Sequence, residues 1–123
     1  MGKFEVKSSE KGVSFNLLAT NGQVIASSQV YKSLRSAKLG MASVAKNAPI
    51  AAVEDQTVKA PEKKSMPKFE VYTDKAKKTR FRLRAKNGQI IVVGEAYETP
   101  KACLAGVASV KKNVVNAKIV MAS

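Results

Sequence analysis

The 123-residue chain contains no histidine and no tryptophan, and its only cysteine is Cys103. A disulfide within the chain is therefore excluded, as are His/Cys zinc sites and catalytic triads that need imidazole. No apolar run approaches the ~20 residues that would span a bilayer. The first residues alternate apolar and charged side chains, without the apolar stretch of a signal peptide. These absences predict a cytoplasmic protein with no metal, no cofactor and no membrane contact.

The composition is that of a folded, strongly basic protein. Hydrophobic residues make up 45% of the chain, and 22 Lys and Arg against nine Asp and Glu give a formal charge of +13. The length is that of one domain. A large positive charge favours anionic partners such as nucleic acid, although it also supports nonspecific binding at low salt.

The chain contains an internal duplication. Lys3-Phe4-Glu5-Val6 recurs as Lys68-Phe69-Glu70-Val71, and from Phe15 onward the offset is 66 residues. Asn21-Gly22-Gln23 then matches Asn87-Gly88-Gln89, and Ala42-Ser43-Val44 matches Ala108-Ser109-Val110. We assign repeat one to residues 1–55 and repeat two to residues 67–123. Residues 56–66 are polar, contain Pro61 and lack apolar periodicity, which is typical of a linker.

Each repeat has the pattern of three strands, a helix and a fourth strand. Alternating residues predict the first two strands, and Asn-Gly indicates the hairpin into the third. Ser33 and Thr99 are candidate N-caps, and Pro100 follows at the first helical position. Apolar residues at helical spacing predict a buried face in each helix, formed by Ala37, Met41, Val44 and Ala48 and by Cys103, Val107, Val110 and Val114. The fourth strands are predicted at residues 50–53 and 117–120.

The sequence leaves the length of the hairpin turn open, and it places a glycine inside each helix. A two-residue turn would place Val24 and Ala26 beside Leu17, whereas a longer loop would bring Ile25 to that face. Gly40 and Gly106 occupy the apolar face of each helix, where glycine costs ~1 kcal/mol relative to alanine. Their presence at equivalent positions predicts that the helix backbone packs closely against the sheet.

A unit of about 55 residues buries too little surface to be stable alone, and its fourth strand needs an edge to pair with. We therefore expect one domain, a monomer that acts as an internal pseudo-dimer. The segment Phe81-Arg82-Leu83-Arg84-Ala85-Lys86-Asn87-Gly88-Gln89-Ile90-Ile91, followed by Tyr97, Gly106 and Ser109-Val110-Lys111-Lys112-Asn113, resembles the YegP-like family of small bacterial proteins. The resemblance covers both repeats and implies an α+β fold. In that fold two βββαβ repeats share one antiparallel sheet, with two helices on one face and the C-terminal strands swapped between repeats. The family has no established activity, and Gly94 stands where repeat one has Ser28.

The sequence favours a protein that is not an enzyme. Without histidine, acid–base chemistry would fall to carboxylates, lysine or tyrosine. Glu5 and Glu70 are predicted on the solvent side of the first strands. Tyr31 and Tyr97 are predicted to bury their rings and keep their hydroxyls wet, and Cys103 to be a small buried hydrophobe.

The positive charge is concentrated in repeat two, which carries +8 against +3 in repeat one and +2 in the linker. Arg80, Arg82 and Arg84 alternate along one strand, whereas repeat one has Ser14, Asn16 and Leu18 at those positions. We therefore predict a candidate anion or nucleic-acid face on the open side of the sheet, formed by Arg80, Arg82, Arg84, Lys86, Tyr72, Lys75, Lys77 and Lys78.

Two classes of function follow from these patterns. The first is a small interaction module with a protein partner or a structural role, which would present an exposed apolar patch around Ile91 and Val93 or Leu18. The second is nucleic-acid binding through the basic face, with arginines on phosphates and Tyr72 stacked on a base. The first class would bind with little dependence on salt, and the second with a steep dependence.

Overall fold

A computed structural model describes residues 2–122. Met1 and Ser123, the predicted outer bounds of the repeats, lie outside the described residues. Repeat one comprises β1 (Lys3–Ser9), β2 (Gly12–Leu18), β3 (Val24–Ser27), α1 (Leu34–Asn47) and β4 (Ala52–Asp55). Repeat two comprises β5 (Lys68–Thr73), β6 (Thr79–Arg84), β7 (Ile90–Gly94), α2 (Pro100–Asn113) and β8 (Lys118–Met121). This is the predicted order of elements in an α+β fold. Among these residues no helix is long and apolar enough to cross a membrane.

All eight strands of the described chain form one sheet, in the order β4-β5-β6-β7-β3-β2-β1-β8. The fourth strand of each repeat pairs with the first strand of the other, because β4 lies beside β5 and β8 lies beside β1. Both of these pairs are parallel, so the prediction of an antiparallel sheet is wrong at its two ends. Within each repeat the third strand ends and the fourth begins at the same end of the sheet, so β4 runs opposite to β3. Because β3 is antiparallel to β7, and β7 runs in the same direction as β5, β4 is parallel to β5. The sheet is therefore mixed.

The core is a single cluster between the sheet and the two helices. Phe4, Phe15, Phe69 and Phe81 are buried in it, and each helix packs against strands of both repeats. The predicted helix faces are confirmed, since all eight apolar residues assigned to them are buried. The capping predictions are confirmed too. The side chain of Ser33 accepts a hydrogen bond from the Ser36 N–H, and that of Thr99 accepts one from the Ala102 N–H.

The hairpins use a longer turn with a bulge. Leu18 pairs with Val24 and Leu17 pairs with Ala26, so Ile25 is the extra residue between them. Ile25 and Ala26 are consequently both buried. The Gly22 N–H donates to the Ala19 carbonyl at 2.8 Å, and only the glycine of the Asn-Gly pair takes a positive φ, of 87°.

The fourth strands begin later than predicted. Pro49 lies in a short 3-10 turn at Ala48–Ile50 that follows α1, and β4 starts only at Ala52. In repeat two the strand starts at the equivalent residue, Lys118, instead of residue 117.

Gly40 and Gly106 are close-packing positions, but what packs against them is a tyrosine. A Cβ atom at Gly40 would lie 2.3 Å from the hydroxyl oxygen of Tyr31, and one at Gly106 would lie 2.2 Å from that of Tyr97. Backbone hydrogen bonds fix each tyrosine, since the Val13 N–H donates to the Tyr31 carbonyl and the Thr79 N–H to the Tyr97 carbonyl. The tyrosine side chain therefore extends from the strand end to the helix backbone.

Candidate binding surfaces on the open sheet face

The linker crosses the open face of the sheet, which we define as the face opposite the helices. Parallel neighbours such as β4 and β5 cannot be joined by a hairpin, so the chain must return over the sheet between them. Gln56 Nε2 donates to Glu54 at 2.6 Å, and the backbone N–H of Lys64 donates to the same carboxylate at 2.7 Å. These two bonds hold both ends of the linker against the open face.

Three charged side chains are buried there. Glu54, Lys68 and Glu70 have 4%, 9% and 7% of their side-chain surfaces exposed. Lys68 Nζ lies 2.8 Å from Glu54 Oε1 and 3.3 Å from Glu70 Oε2. Burying charges is costly unless they are paired and hydrogen-bonded, and each of these three has an opposite charge within contact distance.

Hydrogen bonding lowers the pKa of both carboxyls. The hydrogen bond from Lys68, supported by those from Gln56 and the Lys64 N–H, lowers the pKa of Glu54 to about 2 against the opposing effect of burial. Burial acts to raise the pKa of Glu70, but hydrogen bonds from Arg82, Arg84 and Lys68 outweigh it and bring the value to about 2. The hydrogen bond to Glu54 raises the pKa of Lys68, while burial opposes the change.

The predicted arginines lie on the open face, but they are engaged in ion pairs. The Nε atoms of Arg82 and Arg84 each lie 2.6 Å from Glu70 Oε1, and Arg84 also donates to the Gly88 carbonyl at 2.8 Å. Arg80 pairs with Asp74 at 2.9 Å. We refer to Glu54, Lys68, Glu70, Arg82 and Arg84 as the charge network. The network accounts for Arg82 and Arg84 in β6, where β2 of repeat one has Asn16 and Leu18, since the carboxylate that they bind is buried in that half of the sheet.

The prediction that Glu70 lies on the solvent side of its strand is wrong in one respect. Glu70 does lie on the open face, but it is buried beneath its cation partners and the linker. Tyr72 also lies on this face as predicted, paired with Arg80 across the strands. The guanidinium carbon of Arg82 lies 4.4 Å from the centre of the Tyr72 ring, so the Arg82 side chain covers one face of the ring.

The predicted lysines occupy two separate places. Lys75, Lys77 and Lys78 lie in the turn between β5 and β6, whereas Lys86 lies beyond the other end of β6. A six-residue strand separates these ends by about 20 Å. Lys78 forms an ion pair with Glu98, and the other three are exposed. The eight candidate residues therefore form a paired centre with exposed lysines at each end.

The half of the open face formed by repeat one is uncovered. Lys3, Glu5 and Val120 stand at the positions of Lys68, Glu70 and Glu54, and they are exposed or partly exposed. The Glu5 side chain is 30% exposed against 7% for Glu70. Among residues 2–122, no segment crosses β8 and β1 as the linker crosses β4 and β5.

A groove lies at the boundary between the repeats. β3 and β7 are joined by only two residue pairs, Ala26 with Gly94 and Ser27 with Val93. Beyond these pairs the two strands diverge. We call the resulting cleft, of about 290 Å³ and lined by residues 27–29 and 90–93, the seam groove. Ile90 and Val93 are 38% and 37% exposed there. The predicted patch is thus present at Val93, whereas Ile91 is buried and Leu18 is half-buried.

The remaining reactive side chains are inaccessible or packed. Cys103 is buried, and burial raises the pKa of its thiol to about 11. Burial also raises the pKa of Tyr31 and of Tyr97, whose hydroxyl oxygens lie against Gly40 and Gly106. Within residues 2–122, no three His, Cys, Asp or Glu side chains are grouped to hold a metal ion.

The burial of the charge network and the part of Glu54 and Lys68 in it were missed by sequence reasoning, although a signal for them was present. Glu54 has no polar counterpart in repeat two, where Val120 stands at the equivalent position. Arg82 and Arg84 have no charged counterparts in repeat one. Opposite charges gained together in one half of a duplication indicate a local pairing, and the linker is the only segment that has no counterpart in the pattern of the two repeats.

Comparisons with known proteins identify the relatives of the chain. A family model described as "Domain of unknown function (DUF1508)" matches twice, at residues 8–55 and 74–120. The UPF0339 protein YegP of Yersinia pestis is 42% identical over 92% of this chain and 88% of its own length. A UPF0339 protein of Treponema denticola is 57% identical over 53 residues, which is 43% of this chain and 91% of that protein. That relative therefore has the length of a single repeat.

Solved structures have the same fold. The solution NMR structure of yegP from E. coli, described as a protein of unknown function, has a TM-score of 0.79 and 32% identity, covering 98% of this chain and 91% of its own. That of a UPF0339 protein from Shewanella oneidensis has a TM-score of 0.78 and 29% identity, with 98% and 90% covered.

Proposed function

This chain belongs to the DUF1508 family, and we propose that it is a non-enzymatic interaction module that binds a protein partner at the seam groove. One observation carries the proposal. The repeat-two half of the open face is closed by the linker and the charge network, whereas Ile90 and Val93 are exposed at a cleft between the repeats. Exposed apolar side chains that line a groove are characteristic of interaction sites.

The reactive groups support a role without catalysis. The carboxylates of Glu54 and Glu70 are neutralised by cations at 2.6–3.3 Å. The Cys103 thiol is buried and has a raised pKa, so little of it is the reactive thiolate at neutral pH. The tyrosine hydroxyls are packed against glycine.

The lining of the seam groove favours an extended protein segment over a small molecule. Two strands border it along its length, and its floor continues into the buried Ile91 and Val92. Ser27 and Ser28 add polar atoms at one wall. An apolar side chain of a partner would bury Ile90 and Val93, and such contacts depend little on ionic strength.

The test is affinity capture of proteins from the source organism, after nuclease treatment, at 150 and 500 mM salt. The double variant Ile90→Thr/Val93→Thr removes apolar surface from the groove, and Val115→Thr is the matched control because Val115 is 51% exposed outside it. We expect one protein to be retained at both salt concentrations and to lose about tenfold in affinity with the groove variant alone. Equal retention by the groove variant, or complete loss after nuclease treatment, would contradict the proposal.

Nucleic-acid binding remains the second candidate, supported by the exposed Lys75, Lys77 and Lys86 and by the charge of +13. The triple variant Lys75→Ser/Lys77→Ser/Lys86→Ser is the suitable test, because removing Arg82 or Arg84 would also take a cation partner from the buried Glu70. Binding to duplex DNA through four or five phosphates would give a slope of log K against log salt of about −4, and the triple variant would make it shallower. An unchanged slope would exclude these lysines.

A further inference from the structure

We propose that the open face of β1 and β8 binds an extended, acidic segment of a partner protein, in the position that the linker occupies over β4 and β5. This surface is distinct from the seam groove. Three strand spacings separate β1 from β7, which is about 14 Å, so binding at one place does not require the other.

The internal symmetry of the chain places the segment. β8 pairs with β1 in the same parallel register in which β4 pairs with β5, so that Val120 stands opposite Glu5 as Glu54 stands opposite Glu70. Over β4 and β5 the linker lies against this row and buries Glu54 and Glu70 almost completely. Over β8 and β1 Val120 is 40% exposed and Glu5 is partly exposed. The equivalent surface is covered in one half of the sheet and open in the other.

The side chains in the open half define the chemistry of the occupant. Lys3 and Lys118 are cross-strand neighbours on the open face, and both are exposed. Like charges that face each other in this way destabilise a sheet. Glu5 is turned toward Lys7, with 3.8 Å between their charged atoms, and forms no ion pair with Lys3 or Lys118. Carboxylates of a bound segment would neutralise the two lysines.

The same surface also has an apolar part. Val120 is exposed between the lysines and the end of β8, and Leu18 is half-buried beside Lys3. Side chains of an extended chain point alternately to opposite sides, so only every second residue of the segment would face the sheet. Among these inward-facing residues, acidic ones would face Lys3 and Lys118, and a valine or similar residue would cover Val120. A segment whose inward-facing residues are acidic at one end and apolar at the other therefore fits this surface better than a uniformly acidic one.

The experiment is a titration of the ¹⁵N-labelled full chain, followed by NMR, with a capped heptapeptide that has glutamate at positions one and three, valine at positions five and seven, and serine at the even positions. We expect the largest amide shifts in β1 and β8, with those of the linker and the seam groove unchanged. Lys3→Glu/Lys118→Glu should weaken binding of this peptide about tenfold. The same variant should bind a peptide that has lysine in place of each glutamate. Lys75→Glu/Lys77→Glu, which makes the same change in net charge in repeat two, should stay within about twofold of the wild type. If the first variant fails to fold, Lys118→Gln replaces it, with a smaller loss in the same direction.

Several outcomes would overturn the inference. Equal weakening by both charge-reversed variants would show that only net charge matters. If the largest shifts occurred in residues 90–93, the peptide would lie in the seam groove, and the variant Ile90→Thr/Val93→Thr would abolish peptide binding. Our inference expects that variant to bind the peptide as the wild type does. Displacement of the peptide by single-stranded DNA with the same shifts would favour a nucleic acid. Shifts in β1 and β8 that grow with protein concentration alone would indicate a second copy of the chain.

Discussion

Lys68, the first residue of β5, places its ammonium nitrogen 2.8 Å from a carboxylate oxygen of Glu54 in β4. The pair joins the last strand of repeat one to the first strand of repeat two, beneath the linker that connects them. The linker is thereby tied to the sheet at Gln56 and Lys64, while residues 58–63 between them are exposed. Its position makes the two halves of the open face unequal despite the duplication.

The substitution Lys68→Met tests the charge network. It removes the cation and leaves Glu54 and Glu70 buried with fewer partners, so we expect the free energy of unfolding to fall by about 3–5 kcal/mol. Lys3→Met, at the equivalent exposed position in repeat one, should change it by less than about 0.5 kcal/mol. Urea unfolding followed by circular dichroism measures both, and equal effects would contradict the burial of the network.

The network also predicts sensitivity to acid. The pKa of Glu54 and of Glu70 is about 2 in the folded chain, against an ordinary value of 4.5. Their contribution to stability is therefore present above pH 4.5 and is lost as the pH falls toward 2. Melting temperatures between pH 6 and pH 2 should decline less steeply for Glu54→Gln/Glu70→Gln than for the wild type. Glu62→Gln, which changes a side chain that is 83% exposed, should follow the wild-type curve, and identical curves for all three proteins would refute the prediction.

Gly106→Ala should destabilise the protein although alanine favours helices. The new methyl group would lie 2.2 Å from the Tyr97 hydroxyl oxygen, and forcing an atom into a packed position costs about 1–3 kcal/mol. Tyr97→Phe in the same chain should recover part of the loss, because it removes the nearest atom. A double-mutant cycle by urea unfolding measures the coupling, and additive effects would show that the tyrosine is not what excludes the methyl group.

Cys103 should be unreactive in the folded protein. Its side chain is buried, and the pKa of its thiol is about 11, so both access and thiolate concentration are low at pH 8. Iodoacetamide should label less than about a hundredth as fast in buffer as in concentrated urea. Mass spectrometry measures the labelling. Comparable rates in buffer and in urea would mean that α2 does not stay packed on the sheet.

Repeat one should not fold as a stable monomer by itself. In the full chain β1 pairs with β8 and α1 packs on β7, both of which belong to repeat two. A fragment of residues 1–55 would lose these contacts and expose a strand edge. Thermal melting should be non-cooperative for this fragment, or should report a self-associated form in analytical ultracentrifugation. A cooperative monomeric transition would contradict the prediction.

Most of the architecture could be predicted because its signals are local. The N-caps Ser33 and Thr99, the Asn-Gly hairpins and the apolar faces of the helices each depend on residues within a few positions of one another. The need of the two repeats for a common core followed from the size of one repeat. The order βββαβ was therefore readable twice in one chain.

The candidate sites were predicted less well, because they depend on contacts between distant segments. Glu70 was placed on the correct face but was expected in solvent. The burial of Glu70 depends on the linker, whose Gln56 donates to Glu70 from 14 residues away along the chain. The three arginines were recognised as unusual, but the carboxylates that bind them lie 12 and 14 residues from Arg82 and Arg84 and six residues from Arg80 along the chain.

The amino-acid sequence by itself determined the duplication, the elements of each repeat and the side chains that face the core, because alternation and helical spacing follow from backbone geometry. The tertiary structure decided which strands become neighbours at the two ends of the sheet. With β4 and β5 parallel, the linker must return along the sheet, and it does so over the open face, where it covers a row of charges that becomes a buried network. The unequal halves of the open face follow from that one connection.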